Sequence, residues 1–143
     1  MAGNIQSGGF DLLLLDNGHV YMQMYLKGYN SVISLSSVNV LDTNIHDVVG
    51  TYDGEKIKLY IDGVLDNEKD LTEIITNNNL TGDIKNPTNN TIMAIGTDPN
   101  GSVGSGYWFL GNIYSVRIYD YAISSEKIQE NIRKDGLVSI INE

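Results

Sequence analysis

A chain of 143 residues is about one domain long and can bury a real core, and its 41% hydrophobic content argues against disorder. The formal net charge of −9 and a pI near 4.5 leave no basic surface for a phosphate backbone, which disfavours nucleic acid and anionic membrane as partners. The absence of cysteine removes disulfides and thiolate metal sites, and no apolar run approaches a membrane span or a signal peptide, so no membrane insertion is expected.

The first element is the leucine run of residues 12–15, bounded by Asp11 and by Asp16-Asn17-Gly18. It is predicted as a core strand entering a turn. Asn-Gly favours positive φ at both turn positions, so a hairpin to a strand over 19–27 follows. In that strand Val20, Met22, Met24 and Leu26 share one face, and His19, Tyr21, Gln23, Tyr25 and Lys27 the other. A strand over 31–36 comes next, then a loop, then a strand over 46–52. Asp53-Gly54 joins the latter to a strand in which Ile57, Leu59 and Ile61 alternate with Lys56, Lys58, Tyr60 and Asp62. Asp62-Gly63 ends it.

Residues 66–90 are polar and asparagine-rich, and they read as a long loop with short strand pieces such as 71–76. A strand over 91–95, a glycine-rich rim loop over 96–106 and a long strand over 107–121 complete a mostly antiparallel sheet system. A parity change between Ile113 and Val116 predicts a bulge. Ser124 is a natural N-cap, Glu126 suits the positive helix end, Ile128 and Ile132 share a face, and Gly136 can end the helix. This helix is expected on the sandwich edge. The predicted core is Ile57, Leu59, Ile61, Ile95, Val116 and Ile118.

Val48-Val49-Gly50-Thr51-Tyr52-Asp53-Gly54, followed by Leu59-Tyr60-Ile61-Asp62-Gly63, resembles the central hairpin of laminin G-like domains. These belong to the concanavalin A-like lectin/glucanase superfamily. Gly111-Asn112-Ile113, Val116-Arg117-Ile118-Tyr119, Ala122-Ile123-Ser124 and Ile128 are similar to the ending of bacterial modules of that type. Tyr114 stands where the family often has Asp, and Ile45-His46-Asp47 where it often has Trp-His-His. The resemblance covers residues 9–132 and implies an all-β, antiparallel jelly-roll β-sandwich with one short C-terminal helix, residues 1–143 being one domain. The family's usual opening strands are not matched, which implies completion of the sandwich by a second chain or by residues 5–15 folding back.

Three constellations could carry chemistry. Tyr21, Gln23 and Tyr25 on one strand face, or Tyr107 and Trp108 beside the rim loop, could stack on a pyranose while an amide bonds its hydroxyls. Asp98 and Asn100 offer oxygens at alternate positions of the rim loop, as calcium sites do. Glu68-Lys69-Asp70-Leu71-Thr72-Glu73 fits the E-x-D-x-x-E pattern that carries nucleophile and acid in laminarinase-type hydrolases. His19 and His46 lack the spacing of a metal or nucleophile site.

The resemblance implies a noncatalytic carbohydrate-binding or adhesion module of an extracellular, cell-surface or virion-surface protein, its partner a glycan or cell-surface polysaccharide. A structural or assembly domain that binds protein, as in a phage tail or bacterial appendage, is the alternative, and a homo-oligomer or a strand-sharing partner belongs with it. A glycoside hydrolase using Glu68 and Glu73 stands third.

Overall fold

A computed structural model describes residues 8–87, 93–97 and 108–137 of the chain. Two three-stranded antiparallel sheets face each other. The first holds β1 (Phe10–Leu14), β2 (His19–Tyr25) and β3 (Ser31–Asn39), in that order. The second holds β4 (Val48–Tyr52), β5 (Lys56–Ile61) and β6 (Val64–Asp70). Two helices follow, α1 (Thr72–Asn77) and α2 (Ser125–Lys134).

The turns follow from the residues that make them. Gly18 at φ 83° closes the β1–β2 hairpin, with the Asn17 carboxamide accepting from the His19 amide. The carboxylate of Asp53 accepts from the amides of Glu55 and Lys56 and closes β4 onto β5. Asp62 at φ 53° and Gly63 at φ 76° make the β5–β6 turn, the two positive φ values that a right-twisted two-residue hairpin requires.

The core lies between the sheets. Val20, Met22, Met24, Leu26 and Val32 meet Ile57, Leu59, Ile61 and Leu71, as the alternation of β2 and β5 predicts. Gly50 lies against this layer, where a Cβ would collide with the Met22 sulfur. The β3 and β6 edges are tied by polar groups: Ser34 donates to Asn67, and the Asp66 carboxylate accepts from the Ser37 amide and hydroxyl and from the Val38 amide.

The remaining core expectations are corrected. Ile95, Val116 and Ile118 are 55%, 49% and 53% exposed. Their segments do not form the predicted strands among the described residues, where the pairing is a single bridge between Thr97 and Trp108. Without a ladder, alternate apolar positions have no common face to bury. The expected bulge between Ile113 and Val116 therefore does not arise. The leucine run is also not a core strand, because β1 lies at the sheet edge and Leu12, Leu13 and Leu14 stay exposed.

Residues 64–70 form a strand rather than a loop, and 71–76 enter a helix rather than a strand. Leu71 is buried and Ile74 and Ile75 pack against the core, a helical three-and-four spacing. The Asp70 carboxylate accepts from the Thr72 amide at 2.8 Å and starts the turn. At α2 the Ser124 hydroxyl accepts from the Lys127 amide, and Gly136 follows at φ 73°. That helix packs across the outer face of the second sheet rather than its edge, burying Ile123, Ile128 and Ile132 with Tyr60.

Candidate functional site

The two outer sheet faces differ. The outer face of the second sheet is covered by α2, whereas that of the first carries Tyr21, Gln23 and Tyr25 from β2. Register places Leu13 of β1 and Leu35 of β3 beside Tyr21, and Asp11 and Ile33 beside Gln23. Leu13, Ile33 and Leu35 are exposed, and both tyrosines are half-buried. Gln23 is only 4% exposed. Its amide nitrogen donates to the Tyr25 hydroxyl at 3.2 Å, and its Oε1 has no hydrogen-bond partner among the described residues. Burial, then the charge of Asp11, pushes the Tyr25 phenol above its ordinary pKa. The face is thus an aromatic and aliphatic surface around one buried amide, with the half-exposed tyrosines rather than the glutamine open to a ligand.

Trp108 is 53% exposed and bridges Thr97, while the Phe109 amide donates to the Gly96 carbonyl. Tyr107, Asp98 and Asn100 lie outside the described residues. Among the described residues no group of three or more histidine, aspartate and glutamate side chains could hold a metal ion.

The E-x-D-x-x-E residues are split between elements. Glu68 and Asp70 lie on β6, and Glu73 is in α1. Lys56 donates to Glu68 at 2.8 Å, and Lys58 lies 3.5 Å from its other oxygen. The Lys56 bond holds Glu68 below the usual glutamate pKa. Bonds from Thr72 hold Asp70 down likewise. A general acid needs the opposite shift.

Sequence reasoning missed a charge cluster around His46. Its Nδ1 lies 2.8 Å from an Asp62 oxygen and its Nε2 3.0 Å from an Asp42 oxygen. Asp62 also accepts from the Asp47 amide at 2.9 Å. Burial alone would lower the His46 pKa, but the bonds to Asp62 and Asp42 outweigh it and raise it. Burial, reinforced by Asp62 and Asp135, raises Asp47, whose Oδ2 is buried without a partner among the described residues. The available signal was Asp62 itself, an aspartate at a positive-φ turn whose carboxylate reaches back to the strand opening at 46–48.

Comparison with known proteins adds the following. None of the curated proteins matches the chain in sequence. A crystal structure of an S-layer domain-containing protein (residues 221–444) from Clostridium thermocellum ATCC 27405 is similar at 17% identity and a TM-score of 0.46. The match covers 92% of this chain and 66% of that one, so the chain spans less than two thirds of its length. The family model described as concanavalin A-like lectin/glucanases superfamily, of the laminin G type, matches residues 1–129. With nine-tenths of its length matched, and with the paired antiparallel sheets and Asp-Gly hairpins in place, this chain belongs to the laminin G-like family of the concanavalin A-like lectin/glucanase superfamily.

Proposed function

We propose that the chain is a noncatalytic module of an extracellular or surface-exposed protein that binds glycan through the outer face of β1, β2 and β3. The observation that carries this reading is that α2 covers one outer face and leaves the other, with its two half-exposed tyrosines, open. Pyranose rings present apolar C–H faces that stack on such rings, and flat aromatic surface costs little ordering entropy. The absence of catalysis is supported by Glu68 and Asp70, which lysines and turn bonds hold ionised, and by Glu73 lying on a separate element. Binding to a glycan array tests the reading. Tyr21→Ala and Tyr25→Ala are each expected to weaken a confirmed glycan by about three- to ten-fold, the worth of one stacked ring, with an unchanged melting curve. If Tyr25→Ala and Trp108→Ala both leave that affinity intact, both platforms are wrong. Turnover of β-glucan would overturn the noncatalytic part. Calcium held by Asp98 and Asn100 would appear as a rise in melting temperature on titrating the ion, reversed by chelator.

A second reading, a protein-binding assembly domain, is favoured by a separate observation. Phe10, Leu12 and Leu14 lie on the side of β1 that continues the buried face of β2, and all three are exposed. A glycan array with no hits, combined with a concentration-dependent mass, would favour it.

A further inference from the structure

We propose that the open edge of β4 and the unladdered segment 112–119 are the two walls of a one-strand slot in the second sheet, and that an extended strand of another protein, with lysine or arginine at one end, fills it. This rests on the assembly reading above and gives it a surface and a kind of partner.

β4 is an edge strand. The Asp47 carbonyl accepts from the Asp62 amide, and the Asp53 amide donates to the Lys56 carbonyl. Odd positions therefore bond β5, and the backbone groups of Val48, Gly50 and Tyr52 turn to the open edge. Residues 112–119 take no backbone bond among the described residues. The same helix holds both walls. Val49 of β4 and Tyr119 pack against the apolar cluster beneath α2, the Tyr119 hydroxyl accepts from Asn131, and Arg117 donates to Asp135. A shared roof with no bond between the walls leaves the place of one strand, whose backbone would find partners on both sides.

The side chains agree. With Arg117 and Tyr119 turned to α2, the alternate residues Val116 and Ile118 turn the other way, and both are exposed. β3 packs on β6 and β5, and β2 on β5, so β1 and β4 lie at the same end of the sandwich. A strand added beyond β4 brings its inward side chains against Val116 and Ile118 and toward the exposed Phe10, Leu12 and Leu14. The occupant is therefore apolar at alternate positions.

Charge selects its end. Asp47 precedes β4, its Oδ2 is buried without a partner among the described residues, and the charges of Asp62, Asp135 and Arg117 all act on it. The cations nearby are committed, Arg117 to Asp135 and His46 to Asp42 and Asp62. A lysine or arginine entering there meets an unanswered carboxylate, whereas a glutamate or aspartate is repelled.

Amide spectra of the labelled protein, dilute and in low salt, test the assignment by titration with the capped peptides KVTVTVT and VTVTVTK, against EVTVTVT, VTVTVTE and the unalternating KTTTVVV. At least one lysine peptide is expected to shift Val48, Gly50, Tyr52 and residues 112–119, and to bind about five-fold or more tighter than its glutamate counterpart, the worth of one charged hydrogen bond. Asp47→Asn should erase that preference. Ile118→Glu, at an exposed position, should keep a normal melting curve and weaken binding about ten-fold. The proposal is overturned if no lysine peptide moves these amides, if KTTTVVV or the glutamate peptides bind as well, or if either variant binds as the wild type does. It is also overturned if raising the protein concentration alone moves the same amides, which would make a second copy the occupant. A mass that rises with concentration while the peptides fail would strike the slot and leave the assembly reading standing.

Discussion

At the scale of single residues, His46 shows how a side chain without catalytic company still has a defined chemistry. Neutral imidazole donates one hydrogen bond, yet both ring nitrogens face carboxylate oxygens, so the arrangement is complete only for imidazolium. Because the folded pKa is raised above its ordinary value of 6.5, the folded chain binds this proton more tightly than the unfolded one. The stabilisation is therefore fully present below the unfolded value and is lost as pH rises through the folded one. Denaturation of wild type and His46→Gln at about pH 5.5 and about pH 8.5 should show a stability gap at the lower pH that narrows at the higher. An equal gap at both would mean that the carboxylates hold the neutral ring. Asp47 shifts in the same direction at more acidic pH, whereas Asp42, Asp66 and Asp135, all held below the usual range, lose their contributions as pH falls through their own values. Packing gives a second test. Leu59 has no exposed surface in the core, and Leu59→Ala is expected to cost about 2–5 kcal/mol in chemical denaturation. A shift below about 0.5 kcal/mol would place it outside the core.

At the scale of elements, α2 is a locally specified helix set down on a sheet. Ser124 caps it, Glu126 lies in its first turn, and Arg133 and Lys134 in its last. Arg117 clasps Asp135 just past its end with paired bonds of 2.5 and 2.6 Å. Ser124→Ala is expected to cost about 1 kcal/mol, visible as a lower denaturation midpoint with an unchanged slope. A fall in slope would mean instead that α2 detaches before the sheets unfold. The cap, the apolar pair Ile128 and Ile132 and the terminal Gly136 were all legible in sequence because each acts within a turn or two of chain. The hairpins at Asn17-Gly18 and Asp53-Gly54 were legible for the same reason. β6 was not, because Asp66, Asn67, Glu68, Lys69 and Asp70 form an edge strand whose charges deter further pairing and imitate a loop. In α1 the β-branched Ile74, Ile75 and Thr76 suggest a strand, and tertiary burial of Leu71 overrides that preference. At the candidate site, sequence placed Tyr21, Gln23 and Tyr25 on one face, but that Gln23 is buried between neighbours depends on strand pairing, which alternation alone does not supply.

At the scale of the whole molecule, the second sheet packs on β2 and β3, while the inward-side residues of β1 stay exposed among the described residues. Phe10, Leu12 and Leu14 pair in register with Met24, Met22 and Val20, which are buried, so one continuous apolar face is half covered and half exposed. Ile113, Val116 and Ile118 add exposed apolar surface on a segment without ladder bonds among the described residues. Water contact over such an area is costly, at about 25 cal/mol for each Å² left uncovered, and an edge strand beside it offers backbone groups for a partner strand. The net charge of −9 opposes association at long range and is screened by salt. The chain is therefore expected to self-associate more strongly as ionic strength rises, with a symmetric dimer the simplest closure. Light scattering at about 10 and about 200 μM, in low salt and in about 0.5 M salt, measures this directly, the salt levels bracketing a tenfold-scale change in screening. Leu12→Glu places a charge in the middle of the open face without touching the buried layer, and it should restore the monomer mass while amide exchange in β2 and β5 stays slow. A monomer under every condition, with β1 amides as protected as those of β2, would mean that the face is closed within the chain itself.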